Sequence, residues 1–431
     1  MNEKKSKKVA IVGATLIDGT GAPAVPNSVV LVNGEHIERV GARETIQLSS
    51  EWKVIDANER WLLPGMIDLH VHLYHPGFVS LPPKGSQMAY ASIIAANNLR
   101  SALQAGITTL RGVSDGDHLD LAMRTAVQRR MIVGPRLFVA GIGICMTGGH
   151  GSGLPGATHE VDGPWAVRKA VREEVKAGAD LIKLLSSHRT DNPEFTQEEI
   201  DAGADEAHRH GKKIAIHVAN HIGVRMAAKA GVDTIEHGSF VDEESADLIA
   251  KKSIVLIPTL WVKNHIPERV KKQKEQAAEK GIFNLSEADL EQTRIWFERC
   301  VEQLPKTMKL VKSKGIRVGT GTDNVFGDQP FAVLPEEIEW LTKYGFSNME
   351  AIRSATKIGA EAIGKENEFG TVESGKYADL IMVDRDPLKD ITVLRKVSWV
   401  MKEGTVIPLH PEWKRRPIVD PQTVDEFMKT R

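Results

Sequence analysis

The sequence predicts an α/β protein whose centre is a (β/α)8 TIM-like barrel. Two observations carry that expectation. Eight short apolar runs recur between residues 66 and 323. Amphipathic, charged stretches such as AYASIIAANNLRSALQAG and PWAVRKAVREEVKAG lie between them. Strands alternating with helices are the mark of parallel βαβ architecture.

The runs are taken in order. MIDLHVHL (66–73), ITTLRGV (107–113) and RLFVAGI (136–142) come first. LIKLL (181–185), KIAIHVA (213–219) and DTIEHGS (233–239) follow, then IVLIPTL (254–260) and RVGTGTD (317–323). Eight βα units span the length that such a barrel needs. From Leu260 to Arg317 the chain runs 56 residues, where a βα unit needs only about 30. The excess, roughly 265–300, is charged and helix-prone, and it reads either as a solvated excursion or as a cap over the barrel mouth. Short strands punctuated by Gly, Asn and Pro fill residues 8–63, in VAIVGATLID, SVVLVNGEHIERVG and WKVIDANERWLL. A similar stretch returns in TVESGKYADLIMVDRD and VSWVMKEGTVI.

The composition is that of an ordinary globular chain: 41% hydrophobic and 26% charged, with 56 basic against 57 acidic residues. A net charge of −1 supplies no field for a nucleic acid or an anionic membrane, so neither partner is expected. Cys145 and Cys300 stand 155 residues apart, which is neither a disulfide framework nor a thiolate site. Any metal must therefore be held by nitrogen and oxygen. The basic start leads into the short apolar run Val9–Ile17, cut by Asp18, and reads as a first strand rather than an export signal. No run approaches 18 apolar residues, and a cytoplasmic location is expected. A homo-oligomer is compatible with all of this.

Side chains two apart on a strand share a face, so His70 and His72 point the same way near the end of the first strand. That is the end at which barrel active sites form. Alone, the pair reads equally as two hydrogen-bonded structural histidines. The other strands favour chemistry. Lys183 lies inside the apolar run DLIKLL, where an ammonium is costly unless its charge is changed or paired. His217 and His237 sit near the ends of the fifth and sixth strands, and Asp323 ends the eighth. One shared cation site explains these residues more economically than separate structural roles. Imidazoles with oxygen ligands suit Zn²⁺ best, ahead of Mn²⁺, Co²⁺ or Fe²⁺.

The ordered set His70-x-His72, Lys183, His217, His237 and Asp323 resembles the amidohydrolase superfamily. PGMIDLHVH, TIEHG, GTGTD and SGKYADLIMVD resemble it in detail, and the likeness covers nearly the whole chain. Within the superfamily the chain is most similar to the imidazolonepropionase-like, prolidase-like (Xaa-Pro dipeptidase-like) branch. The resemblance implies two divalent cations per chain. His70, His72 and Asp323 would hold the first, His217 and His237 the second, and Lys183, carboxylated at Nζ by carbon dioxide, would bridge them. It also implies a small β-sandwich domain built from both chain ends. The expected divisions are 1–63 and 365–411 for that domain, 64–364 for the barrel, and 412–431 for a tail.

The chemistry implied is hydrolysis of an amide-type C–N bond by a hydroxide held between the metals. Asp323 would be ligand and general base, and His150, in the loop TGGHGSG, would donate to the oxyanion. A surface histidine in a glycine loop is the plainer alternative for His150. His75, His118, His188 and His221 are expected in loops or supporting positions. The substrate expected is a dipeptide or N-acyl amino acid, with xenobiotic aryl or alkyl amides, ureas and carbamates as the alternative. A deaminase is disfavoured because Asn220 stands where such enzymes carry a glutamate, and Lys183 disfavours a mononuclear imidazolonepropionase. A catalytically inactive scaffold should have lost a ligand, and all six positions are filled. SSHRTDNPEF after Lys183 and Ala219 after His217 depart from prolidase-like relatives where substrate contacts are expected. Arg189 is a candidate partner for a substrate carboxylate.

Overall fold

The computed structural model describes residues 8–74, 85–152, 156, 158–187, 191–280, 287–325 and 331–410, without the side chains of 269, 272–280 and 287–290. The chain opens with β1 (Lys8–Leu16), β2 (Val25–Asn33), β3 (His36–Ala42), β4 (Lys53–Asp56) and β5 (Trp61–Pro64). There follow β6 (Met66–Val71), α1 (Gln87–Gln104), β7 (Ile107–Gly112), α2 (Leu119–Gln128), β8 (Arg136–Val139), β9 (Gly143–Cys145) and β10 (Thr158–Glu160). Next come α3 (Pro164–Ala177), β11 (Leu181–Leu185), α4 (Gln197–Arg209), β12 (Lys213–Val218), α5 (His221–Ala230), β13 (Thr234–His237), α6 (Glu243–Lys251) and β14 (Val255–Ile257). The last elements are α7 (Leu260–Lys280), α8 (Glu287–Ser313), α9 (Leu334–Lys343), α10 (Asn348–Ser354), α11 (Lys357–Ile363), β15 (Leu380–Val383), β16 (Trp399–Lys402) and β17 (Thr405–Ile407).

The fold is α/β with parallel sheets. One sheet has the order β6-β7-β8 and a second the order β10-β9-β11-β12-β13-β14, and every pairing within them is parallel. Strands buried on both faces read as continuous apolar runs, and their Leu110, Ile182, Ile216, Ile235 and Leu256 are buried in one core with the helices. The apolar run 136–142 straddles the two sheets. Its first half pairs with β7 and the chain then passes to β9 beside β11. Gly141, at φ +71, makes that break, and Asp180 N donates to Val139 O at 2.8 Å across it.

The eighth apolar run differs from expectation. Residues 317–323 form no ladder beyond a single parallel bridge, Leu256 with Val318. The segment is nevertheless bonded on both sides. Leu256 N donates to Arg317 O and Gly319 N to Leu256 O, while Leu69 N donates to Thr320 O and Asp323 N to His70 O. Its glycines explain the irregularity: a Cβ on Gly321 would lie 2.7 Å from the Cβ of His70, and one on Gly319 2.5 Å from Leu69 Cδ1. The stretch runs too close to β6 for side chains. Of residues 265–300, 265–280 belong to the long helix α7 and 287–300 to α8.

Both ends of the chain enter one eight-stranded sheet, ordered β17-β16-β15-β5-β1-β2-β3, with β4 also pairing β1. Leu62, Leu380, Met382 and Met401 cover one face of it, and Val29, Leu31 and Trp52 gather in a separate cluster. Arg136, at the start of β8, ties this sheet to the parallel ones. Its Nη1 lies 2.5 Å from Asp379 Oδ2 and its Nη2 2.9 Å from Glu403 Oε1. The guanidinium also lies over the rings of Tyr377 and Phe369. Arg136→Met, by stranding two acidic partners, should lower unfolding stability by about 3 kcal/mol in denaturant titration. A loss under about 1 kcal/mol would show that the sheet is held by apolar contact alone.

Candidate metal centre

The parallel strands deliver the polar residues to one place. His70 lies in β6 and His72 just after it, Lys183 is the middle residue of β11, His217 belongs to β12, and His237 closes β13. Asp323 ends the eighth segment. The Nε2 atoms of His70 and His72 are each 3.6 Å from Asp323 Oδ1. Ring centroids are 4.9 Å apart for His70 and His237 and 4.2 Å for His217 and His237. One ligand atom each from His70, His237 and Asp323 lies within 4.8 Å of the other two. Lys183 is buried, and among the described residues its Nζ has no hydrogen-bond partner.

The remaining ring nitrogens are held from behind. His72 Nδ1 donates to Ser114 O at 2.6 Å, and since a carbonyl only accepts, Nε2 is left with its lone pair. His70 Nδ1 is 2.7 Å from Glu236 Oε2, and His237 Nδ1 is 2.7 Å from Thr259 Oγ1. Several strand ends turn through left-handed backbone here: Ser114 (φ +112), His237 (φ +73), Thr259 (φ +46) and Asp323 (φ +48). Such strain in non-glycine residues gathers at functional sites.

His150 is also at the centre. Its ring stacks on that of His217, with centroids 4.1 Å apart and planes 18° from parallel, and its N donates to Glu194 Oε2 at 2.9 Å. His118 pairs instead with the buried Glu174, which His159 also reaches, and His221 starts α5. His75, His188 and Arg189 lie outside the described residues. Asn220 caps α5 by accepting from Gly223 N at 2.7 Å, which gives it a structural role. Four supporting residues were not anticipated from the sequence: Arg111, Glu236, Thr259 and Lys263. An arginine inside the apolar run ITTLRGV was a signal for the first, of the kind that Lys183 gave.

Helix α8 packs over the loops that follow His217 and His237. Trp296 and Cys300 lie against Ala219, and Thr307 Oγ1 donates to Ser239 O at 2.7 Å. Arg299 lies over the rings of Phe240 and Trp296 and reaches Asp191 at 2.9 Å.

Residues 61–407 match the model of the Amidohydrolase family. The chain belongs to the amidohydrolase family. The crystal structure of a Xaa-Pro dipeptidase with methionine in its active site is similar, with 30% identity and a TM-score of 0.83, over 93% of this chain and all of that one. A prolidase complexed with N-methylphosphonate-L-proline is 26% identical, with a TM-score of 0.82 over 93% of this chain and 99% of its own. Ochratoxinase of Aspergillus niger is 26% identical over 93% of this chain and 86% of its own. This amidohydrolase is accordingly a hydrolase of carbon–nitrogen bonds.

Members of the family use metal ions, and the donor set of this amidohydrolase fits one. Burial holds His70, His217 and His237 well below the usual imidazole range, and neighbouring cations and histidines push the same way. All three are thus neutral at pH 7, as ligands must be. Burial pushes the Asp323 carboxyl up to about 7, against the pull of Lys183 and Lys263. Burial brings the Lys183 amine down to about 8, opposed by Glu236. An unpartnered amine among imidazoles and a carboxylate leaves a buried polar cavity that a cation and its ligands would complete.

The proton balance follows. His70, His217 and His237 have no proton to lose at neutral pH, whereas Asp323 must lose one to ligate. Divalent-metal affinity should therefore rise with pH through about 7 and fall below it, with protons released on binding. Calorimetric titration of metal-free protein in two buffers of different ionisation enthalpy measures that release. Affinity flat between pH 6 and 8 would contradict it.

Proposed function

We propose that this amidohydrolase is a prolidase-like dipeptidase or N-acyl amino acid hydrolase that works with two divalent cations, most suitably Zn²⁺. The observation that carries the two-cation reading is Lys183: a buried amine that has no hydrogen-bond partner among the described residues and acts electrostatically on His70, His217, His237 and Asp323. Addition of its Nζ to the carbon of carbon dioxide, with loss of one proton, gives an anionic carbamate that would bridge the cations. His70, His72 and Asp323 would hold one and His217 and His237 the other. When bound, the cations supply Lewis acidity for the substrate carbonyl and lower the pKa of a water molecule toward neutrality.

The chain's own residues do the rest. Asp323 takes the proton of the attacking water and returns it to the leaving nitrogen. His150, stacked on His217, donates to the oxyanion as the carbonyl becomes tetrahedral. Helix α8 caps the mouth and shapes the substrate pocket. The same reading takes 64–364 as a barrel, closed through the break at Gly141 and the segment 317–323. Residues 1–63 and 365–411 then form the β-sandwich domain, and 412–431 a tail. Among the described residues no helix is long and apolar enough to cross a membrane. A small amide or dipeptide is the expected partner, in the cytoplasm, with no nucleic acid or membrane and with a homo-oligomer compatible.

The dipeptidase reading is supported by the likeness to the Xaa-Pro dipeptidase and the prolidase. A second reading, hydrolysis of non-peptide aryl or alkyl amides, ureas or carbamates, is favoured by one feature. Ala219 leaves room for Trp296, with Phe240 beside it, so the mouth carries an aromatic wall, and ochratoxinase is among the relatives.

Lys183→Ala should lower kcat/KM by more than about 100-fold, beyond what loss of an outer hydrogen-bond partner costs. Short carboxylic acids should restore part of it by standing in for the carbamate. Full activity and unchanged metal content in that variant would remove the bridge. A panel of Xaa-Pro and other dipeptides, N-acyl amino acids, aryl amides and carbamates should give its highest kcat/KM on the first two groups. Turnover confined to aryl amides or carbamates would replace the dipeptidase reading with the second one.

A further inference from the structure

The geometry points to an inequality between the two halves of the centre, with Glu236 as the positioning residue that creates it. The inference rests on the two-cation reading above.

Glu236 is fully buried on β13, and both of its oxygens are committed. Oε1 accepts from Arg111 Nη2 at 2.6 Å and from Thr234 Oγ1 at 2.5 Å. Oε2 is 2.7 Å from His70 Nδ1. Arg111 is equally fixed: its Nε donates to Leu69 O at 2.6 Å and its Nη1 to Thr234 Oγ1 at 2.9 Å. A carboxylate so engaged only accepts, so the ring proton of His70 sits on Nδ1 and the lone pair on Nε2. His72 is set the same way by Ser114 O. Both Nε2 atoms stand 3.6 Å from one oxygen of Asp323. The first half is thus three donors, two of them rings locked in tautomer and orientation by groups that cannot donate.

Among the described residues the second half lacks that lock. His237 Nδ1 meets the hydroxyl of Thr259, which donates or accepts and so selects neither tautomer. Its backbone carbonyl receives the buried Lys263 Nζ at 2.8 Å, and Pro258 O receives it at 2.6 Å. This pins the backbone behind His237 without setting its ring, and the Lys263 charge reaches His70 and Asp323 as well as His237. The Arg111–Glu236 pair carries no net charge, so its effect on His70 is directional. A cation therefore enters the half formed by His70, His72 and Asp323 first and more tightly, and the half formed by His217 and His237 fills second.

The experiment is a Co²⁺ titration of the metal-free full chain, read by calorimetry and visible absorption with no substrate present. Wild type should take up two ions in two steps, separated by about tenfold or more in affinity. In E236Q the amide oxygen must stay toward Arg111 and Thr234, so the NH2 faces His70 Nδ1 and drives the ring proton onto Nε2. The first step should weaken by about 10–100-fold, the cost of losing an outer partner of a ligand, with the second step little changed. Two equal steps in wild type, or two unequal steps that E236Q leaves in place or weakens alike, would overturn the inequality. Uptake of one ion in all by wild type would instead overturn the two-cation reading. If E236Q does not fold, histidine-ring ¹⁵N spectra of metal-free wild type decide: Nδ1 protonated at His70 is required, and Nε2 protonated there overturns the assignment.

Discussion

Withdrawing the Lys183 amine from water as an ammonium costs several kcal/mol unless a partner repays it, and β11 offers none. The rest of the centre is arranged around that debt. Apolar neighbours on β11 exclude water, imidazoles from β6, β12 and β13 present lone pairs rather than charges, and Asp323 closes the ring. Each of these groups is itself displaced from its ordinary protonation by the same burial. The histidines are held neutral and the Asp323 carboxyl is raised to about 7. A set of donors that is individually costly becomes stable when it shares a bound positive charge.

Holding those donors in place strains the backbone. His237 and Asp323 adopt left-handed conformations, and so does the β-branched Thr259, at about 1–2 kcal/mol apiece. The supports are buried polar bonds behind the strand ends. Lys263 grips the carbonyls of His237 and Pro258. Glu337 on α9 accepts from the N atoms of Leu260 and Trp261 at the start of α7. Asp68 accepts from Thr322 N and Thr322 Oγ1, binding β6 to the segment that carries Asp323. These bonds join elements distant in sequence, so the site is over-determined by several strands and helices and not by any one loop.

That distribution explains what could be read in advance. His70, His72, Lys183, His217, His237 and Asp323 each break an apolar run, and a polar residue in a buried strand announces itself. Their convergence needed only parallel strands of similar length. Glu236 was passed over because it neighbours His237, and alternation assigns adjacent strand residues to opposite faces. The left-handed φ of His237 ends the pleat at that residue, so the alternation rule no longer separates the two. Lys263 and Thr259 lie past a strand end, where backbone conformation is not encoded in periodicity. The segment 317–323 was legible as a location but not as irregular backbone. Its glycines read as ordinary punctuation until their closeness to β6 was known.

One neighbour of the centre comes from outside the parallel strands. Ala219 is small, and the space beside it is filled by Trp296, which arrives from α8 roughly eighty residues later in the chain. Arg299 restrains that helix by bridging Phe240 and Trp296 to Asp191 in the loop after β11. This bridge is largely exposed, and exposed pairs contribute about 1 kcal/mol or less. The polar residues of the centre are thus held by buried bonds, and α8 by its buried apolar residues and the Thr307–Ser239 bond, with this exposed pair adding little.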